Sequence, residues 1–255
     1  MCKKILFLAL LLVFLLSAVV VPSSAQPRVV GVNVGDWFKF GTIDINWSSN
    51  DPNATFPPSG WEWLEERNAT EWVLFSVVDV SGTNVTFQST EHFESETERI
   101  QISYIDVDTG AGNISFGAIA ANLNANDTLY TAPPYSSFTI NETVTRTYPS
   151  GVRETNLFNM TDESSWTINE TQYYYYYTMN FYWDKATGVL VEQYFEAIYQ
   201  TGEYLTSWSS LASLTESNVW VVPEFPAWTL VLILFVVFTF AVVAYKRRLV
   251  KKPIN

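Results

Sequence analysis

The sequence predicts an all-β fold, a single antiparallel β-meander domain that curls into an open barrel or packs as two layers. β-Branched and aromatic residues dominate the middle of the chain, and such residues favour strands. Turn-forming residues recur roughly every dozen positions, as they do between the short strands of an antiparallel sheet. The segment Asp184–Gly188 lies between two long runs of this kind and is typical of a hairpin turn.

About ten strands are expected, in sequential order along the chain. The clearest are Trp37–Trp47, Glu71–Val80, Asn84–Glu94, Arg99–Asp108, Phe138–Tyr148, Val152–Met160, Thr171–Trp183, Val189–Tyr199 and Tyr204–Ser213. Between the first two, Ser48–Thr70 is expected to be a proline-containing loop with one helical turn at Trp61–Arg67. Thr131–Ser137 is a second such loop, and Phe116–Leu123 fits either a strand or one helical turn.

Two of these segments carry a more specific expectation. Glu71–Val80 is apolar on both faces, which predicts a central strand covered on both sides. In the hairpin turn, Asp184 closes an Asx turn and Gly188 takes a positive φ, which glycine accepts more readily than other residues.

The N-terminal segment is predicted to be an export signal. Lys3 and Lys4 precede the apolar run Ile5–Val21, and small residues follow it. Residues 1–25 therefore fit a signal peptide that is cleaved after Ala25, with an uncleaved anchor helix as the alternative. Removal of this leader leaves a β domain at residues 26–214.

The C-terminal segment is predicted to span a membrane. Residues 227–245 are an uncharged run that would form a helix of about 28 Å, close to the roughly 30 Å hydrocarbon core of a bilayer. Residues 246–255 hold a cluster of Lys and Arg, which places this tail in the cytoplasm and the β domain outside.

Residues 215–226 form a short linker that ends in the motif Pro223-Glu224-Phe225-Pro226. The order of this motif, an apolar helix and a basic cluster over Pro223–Lys252 resembles the PEF-type C-terminal sorting signals of archaeal surface proteins. The resemblance implies processing by an archaeosortase, a membrane-embedded cysteine transpeptidase, with a permanent single-span protein as the alternative. Gly35–Phe40 and Asp184–Leu190 also resemble recurring pieces of uncharacterised archaeal secreted β domains, a resemblance that implies no activity.

The predicted extracellular region is strongly acidic. Residues 26–226 hold all 26 acidic residues and seven of the 14 basic ones, so their net charge is 7 − 26 = −19. Such a surface repels phosphate backbones, which argues against a nucleic-acid partner. The region contains no cysteine, because Cys2 lies in the leader, so the domain depends on its apolar core and not on disulfides.

Nine Asn-x-Ser/Thr triplets, none with a central proline, lie in the same region and predict N-glycosylation. On their strands, Asn84 and Asn141 are expected to face water, with Phe87 and Ile140 pointing inward. The nine acceptors are Asn46, Asn53, Asn68, Asn84, Asn113, Asn126, Asn141, Asn159 and Asn169.

The sequence predicts no catalytic residue, metal site or cofactor. His92, the chain's one histidine, lies among glutamates on a strand expected to be exposed, and no Gly-x-Ser-x-Gly motif accompanies it. A single histidine without cysteines does not supply a zinc site. Asp106–Gly110 lacks the third oxygen ligand and the distal glutamate of a calcium loop, so a hairpin turn fits it better.

A run of five tyrosines, Tyr173–Tyr177, is the remaining candidate site, with Trp183 close behind it. On a strand Tyr173, Tyr175 and Tyr177 share one face. They form either a stacking platform for sugars, an aromatic wall for an apolar ligand, or ordinary packing without a ligand.

Together these features predict a membrane-tethered, N-glycosylated archaeal surface protein with a structural or adhesive role in the envelope, in contact with glycans or other surface proteins. One alternative is a lipid- or glycan-binding module that uses a concave aromatic face. Another is an envelope glycosidase, for which no pair of carboxylates stands out in the sequence.

Overall fold

The computed structural model describes residues 28–219, which form one antiparallel sheet of nine strands. This part of the chain also contains one short helix, α1 (Trp63–Asn68), and a 3₁₀ turn at Tyr135–Ser137. The all-β prediction is confirmed, and so is the helical turn expected near residue 61. The strands are β1 (Trp37–Ser49), β2 (Thr70–Ser81), β3 (Asn84–Phe93), β4 (Glu98–Asp106), β5 (Glu142–Tyr148), β6 (Gly151–Ile168), β7 (Thr171–Asp184), β8 (Leu190–Thr201) and β9 (Tyr204–Ser217).

The sheet consists of two meanders that meet at the first and last strands. Its spatial order is β4-β3-β2-β1-β9-β8-β7-β6-β5, and β4 and β5 are its edges, so the sheet is open. Strands β1 and β9 pair from Phe38 opposite Ser217 to Ser49 opposite Thr206, with register shifts around Phe40. The sequence predicted one sequential meander and gave no sign of this junction, because pairing between distant segments leaves no local pattern.

The connection between β4 and β5 packs on one face of the sheet, called here the inner face. Ala118, Ile119 and Leu129 in this connection are buried in the same core as strand residues such as Phe38. The segment Phe116–Leu123 is neither the strand nor the helical turn that the sequence allowed. It is irregular chain that bridges to the sheet at Ala118 and Val189, and tertiary contacts determine its path.

The core lies between the inner face and this connection. Trp183, Phe38 and Leu214 have no solvent exposure. The indole Nε1 of Trp183 donates a hydrogen bond to the carbonyl of Phe116 at 2.8 Å, and the Phe116 ring stacks on Phe181 at 4.9 Å. Burial of a large apolar side chain contributes about 1.5–3 kcal/mol, so a core of this kind stabilises a domain that has no cysteine in the described residues.

The turn between β7 and β8 is the predicted hairpin. Asp184 Oδ1 accepts hydrogen bonds from the backbone amide and the hydroxyl of Thr187, at 2.9 and 3.1 Å. The amide of Gly188 donates to the carbonyl of Asp184 at 2.7 Å. Gly188 has a φ of 72°, which confirms the predicted left-handed conformation.

Strand β2 corrects the expectation of a strand covered on both sides. Its inner face carries Phe75 and the buried Val77, as the pattern predicts. On its other face Trp72 is covered by neighbouring side chains, not by a second layer: the His92 ring stacks on it at 4.9 Å and Lys39 Nζ lies 5.2 Å from its centroid. An apolar pattern on both faces therefore does not require a second layer.

Several strand ends also differ from the predictions. β5 begins at Glu142 and not at Phe138, and β9 continues to Ser217, three residues past the expected end of the domain. β6 continues to Ile168, eight residues beyond the predicted end at Met160. The added part of β6 is exposed and mostly polar. It pairs with β7 from Thr161 opposite Thr178 to Ile168 opposite Thr171, so pairing with β7, and not an alternating pattern of its own, maintains this part of the strand.

Candidate functional site

A cavity of about 370 Å³ lies on the inner face of the sheet, under helix α1. Its walls are mainly apolar and come from strands that are far apart in the chain, together with the β4–β5 connection. The apolar lining consists of Phe40, Ile43, Trp63, Val73, Phe75, Ile114, Leu190 and Ala212. The polar lining includes Glu66, Arg67, Glu91, Arg99 and Gln193.

One side of this cavity is closed by an ion-pair bridge. The Nη2 atom of Arg99, on β4, contacts a carboxylate oxygen of Glu66 on α1 and a carboxylate oxygen of Glu91 on β3. The hydrogen bond to Glu66, opposed by partial burial and helped by Glu91, raises the pKa of the Arg99 guanidinium above its ordinary value. The bridge fixes the short helix to the sheet edge and leaves both carboxylates occupied.

A second arginine, Arg67, enters the cavity from the same helix. Its guanidinium carbon lies 5.9 Å from the centroid of the Trp63 ring. With the Gln193 amide oriented so that its oxygen faces Arg67, that oxygen accepts from Nη1 at 2.7 Å and from Nη2 at 2.5 Å. Burial lowers the pKa of Arg67 to about 10, so the group still carries its charge at neutral pH.

A second cavity of about 360 Å³ opens at the other end of the inner face. It lies beside an aromatic cluster in which Trp61 packs against Trp208 at 4.6 Å and against Tyr177 at 5.9 Å. Two further rings, Trp47 and Tyr199, line the cavity with polar loop residues. The full lining is Trp47, Asn53, Ala54, Thr55, Pro58, Ser59, Trp61, Tyr199 and Thr206.

The four aromatic residues proposed from the sequence occupy three different environments. Tyr175 and Tyr177 belong to the aromatic cluster, where Tyr175 lies 5.1 Å from Tyr199. Tyr173 stacks on Trp166 at 5.6 Å. Trp183 is fully buried in the core and does not face a ligand surface, because the inner face is covered at that end of β7. None of the four is among the described residues that line either cavity.

Arg67 and Gln193 are the site residues that sequence reasoning missed. A signal was present, because Arg67 is one of seven basic residues among the 26 acidic ones of the predicted extracellular region. Gln193 has no such signal, since it reaches Arg67 only through the pairing of β8 into the sheet.

All nine predicted acceptor asparagines are exposed, as glycosylation requires. The predicted phases of Asn84 and Asn141 are confirmed, with Phe87 and Ile140 buried beneath them. Their modification stays a prediction. In the exposed set, Asn113 is bonded to the edge strand: its Oδ1 accepts from the amide of Tyr104 at 2.7 Å.

The predicted signal peptide, the motif Pro223-Glu224-Phe225-Pro226 and the apolar helix at 227–245 lie outside the described residues. Between residues 28 and 219, no helix has the length and apolar character needed to cross a bilayer.

The remaining titratable residues take structural roles. Within residues 28–219 there is no group of three or more potential metal ligands. Asp106 begins a tight turn, as predicted, and its Oδ1 accepts from the amides of Asp108 and Thr109 at 2.9 and 3.0 Å. His92 is less exposed than expected because it stacks on Trp72, and its ring nitrogens lie 3.5 Å from Glu71 and Glu98.

No protein-family model matches the chain, and no curated protein is significantly similar to it.

Proposed function

We propose that this protein is a membrane-tethered archaeal surface protein whose β domain is a binding module for an apolar or amphiphilic ligand. The observation that carries the proposal is the 370 Å³ cavity on the inner face, with apolar walls and a few convergent polar groups. Ligand sites in proteins are typically concave, largely apolar and roughly 300–1,000 Å³ in volume. A structural protein of this size has no need of such a cavity, because close packing stabilises a core better.

The lining separates into walls and a polar end, which is the arrangement that an amphiphile requires. Phe40, Phe75 and Leu190 contribute apolar surface from three strands. Arg67 and Gln193 meet at one place in the lining and form a polar contact point. A chain-like ligand would gain about 25 cal/mol for each Å² of apolar area it buries, and the polar end would fix its orientation.

The same cavity is less suited to glycoside hydrolysis. Glu66 and Glu91, the carboxylates among its described lining residues, both bind Arg99. A glycosidase needs two carboxyl groups that face the substrate, and here both carboxylates contact the guanidinium of Arg99. We therefore place the binding module ahead of the glycosidase.

Glycan binding at the second cavity is the other candidate function. Trp47, Trp61 and Tyr199 present rings there, and Thr55, Ser59 and Thr206 supply hydroxyl groups. Sugars have apolar faces that stack on aromatic rings and hydroxyls that hydrogen-bond to polar side chains. This arrangement favours an adhesive role in which the domain holds an envelope polysaccharide.

The cellular setting is proposed on sequence features. The leader, the C-terminal apolar helix and the basic tail support export and a single membrane span, with the domain outside the cell. The nine exposed acceptor asparagines support a glycosylated surface. The Pro223–Pro226 motif supports processing by an archaeosortase-like enzyme.

Solvent extraction and mass spectrometry of protein purified from its native membranes test the binding function. We expect an apolar or amphiphilic compound in stoichiometric amount from the wild-type protein. Ala212→Phe, which fills the cavity wall, should abolish it, and Ala111→Phe at an exposed position should not. A wild-type protein that yields no such compound and binds none added in solution would show that the cavity is not a ligand site.

A further inference from the structure

The guanidinium of Arg67 has an unusual balance of charge and solvation. Its Nε atom is buried and has no hydrogen-bond acceptor in the described residues. The lowered pKa of about 10 has desolvation as its cause, yet it leaves the group cationic at neutral pH. A charged group held away from water is costly unless a counter-charge and acceptors replace the lost hydration.

The protein supplies only part of that compensation. Gln193 gives Arg67 a neutral carbonyl acceptor, and the Arg67 guanidinium carbon lies over the Trp63 ring, 5.9 Å from its centroid. No carboxylate within residues 28–219 forms an ion pair with Arg67. The nearest acidic candidates in the cavity lining, Glu66 and Glu91, both bind Arg99.

Two other arginines of this domain have the carboxylate partner that Arg67 lacks. Arg146, which lies on another part of the sheet, binds both carboxylate oxygens of Glu192 at 2.7 and 3.0 Å. Arg99 binds two carboxylates. Arg67 also lines a cavity large enough for a ligand. Unlike Arg99 and Arg146, it has no carboxylate partner among the described residues. Its missing partner is therefore best sought in the ligand.

We propose that the cavity ligand is an apolar chain with a single anionic oxygen head group, a carboxylate or a phosphate monoester, and that Arg67 binds this head group. The inference rests on the proposed binding function and specifies its ligand class. The Gln193 oxygen accepts one N–H from each Nη atom, and each Nη keeps a second N–H that can donate to an oxygen of a carboxylate or phosphate. The apolar walls formed by residues such as Phe40 and Phe75 then take the chain.

The charge of the surroundings limits the charge that a head group can carry. The lining includes Glu66, Glu91, Arg67 and Arg99, whose charges sum to zero, so the two carboxylates oppose a singly charged carboxylate head group less than a largely dianionic phosphate monoester. A neutral alcohol of the same length would contact the apolar walls but would offer the Arg67 guanidinium only an uncharged acceptor.

Calorimetric titration of the full chain in lipid nanodiscs, with empty nanodiscs as the reference, tests the proposal. Decanoate, decyl phosphate and decanol are the probes, because they share one chain and differ in the head. We expect one or both anions to bind about 10–100-fold more tightly than decanol, the range of a charge-assisted hydrogen bond. The stronger of the two anions identifies the head group.

Variants then assign the effect to Arg67. Arg67→Met should remove the preference for the anion and leave decanol binding unchanged, and Arg67→Lys should restore part of the preference. Arg146→Met is the matched control, because it removes an arginine that is already paired with Glu192. Equal affinity of wild-type protein for anions and decanol would overturn the inference and leave the binding function intact. If no probe binds, the binding function itself fails. If Arg67→Met does not fold, the affinities of the wild-type protein for the two anions and for decanol still test whether the site prefers an anionic head group.

Discussion

A β-carbon added to Gly188 would lie 2.1 Å from the carbonyl oxygen of Ile119, well inside any allowed contact distance. The turn between β7 and β8 therefore depends on glycine for two reasons, its positive φ and the close approach of the β4–β5 connection. A hydrogen bond also joins the turn to this connection: the amide of Ile119 donates to the carbonyl of Gly188 at 2.8 Å.

Gly188→Val should destabilise the domain by about 3 kcal/mol, more than a left-handed conformation alone would cost. The valine side chain would have to displace the backbone of Ile119 and Ala120, which moves less readily than the end of a flexible side chain. Urea unfolding gives the free energy. Gly82→Val is the control, because Gly82 has a φ of 61° but no neighbouring atom within 4 Å of its added β-carbon. Equal losses in the two variants would show that the contact with Ile119 does not matter.

Trp183→Phe should destabilise by about 2–3 kcal/mol, because it opens space in a close-packed core and leaves the carbonyl of Phe116 without its donor. Trp166→Phe, at a residue that is 45% exposed, should change the unfolding free energy by less than about 0.5 kcal/mol. Chemical unfolding followed by circular dichroism measures the loss of unfolding free energy in each variant. A larger loss for Trp166→Phe than for Trp183→Phe would mean that Trp183 does not act as a core residue.

Alkaline pH should weaken the fold through buried tyrosines. Burial, assisted by Tyr175 and Tyr199, raises the pKa of Tyr177 from 10.0 to about 12. The folded state then keeps a proton that the unfolded state has lost, so the stabilising contribution is complete below pH 10 and is lost as pH rises towards 12. Unfolding free energies measured across this interval should fall with pH. Tyr177→Phe should show a shallower fall, and an unchanged slope would contradict the assignment.

Asn113 should protect the edge strand β4 from pairing with other chains. Its side chain accepts from the amide of Tyr104 at 2.7 Å and donates to the carbonyl of Ile102 at 3.3 Å, as a neighbouring strand would. Ile100 and Ile102 on this strand are 61% and 56% exposed, so a free edge would be adhesive. In unglycosylated protein, Asn113→Ala should increase self-association in sedimentation velocity.

Asn84→Ala is the control for that experiment, since the Asn84 side chain reaches Asp106 at 3.5 Å and lies off the exposed edge. Identical sedimentation of the two variants across a range of concentrations would rule out a protective role for Asn113. A loss of about 1 kcal/mol in unfolding free energy is also expected for Asn113→Ala, from its two hydrogen bonds.

Local sequence patterns predicted most of the strands and turns of this fold. The alternation around Asn84 and Phe87 predicted which side chains face water, and Gly188 predicted the left-handed residue of the β7–β8 turn; the structure confirms both. Strand ends were less predictable where a partner maintains the pairing, as β7 does for the exposed half of β6.

The candidate site was predictable only in part, because it depends on which strands become neighbours. The tyrosine run drew attention by composition, yet Tyr175 and Tyr177 support an aromatic cluster and do not line a cavity. Arg67 and Gln193 are 126 positions apart in sequence and meet because β8 and α1 face the same space. No local pattern encodes that meeting.

The pairing of β1 with β9 has a kinetic consequence. Phe38 and Ser217 are 179 positions apart, so the central junction of the sheet closes a very long loop. Such nonlocal contacts form late and slow the search for the native state. In a chain that emerges N-terminus first, β1 can pair with β2 and β8 with β7, but each keeps one open edge until β9 arrives. The domain therefore acquires its complete sheet, and the cavity wall at Ala212, only after β9 has been added.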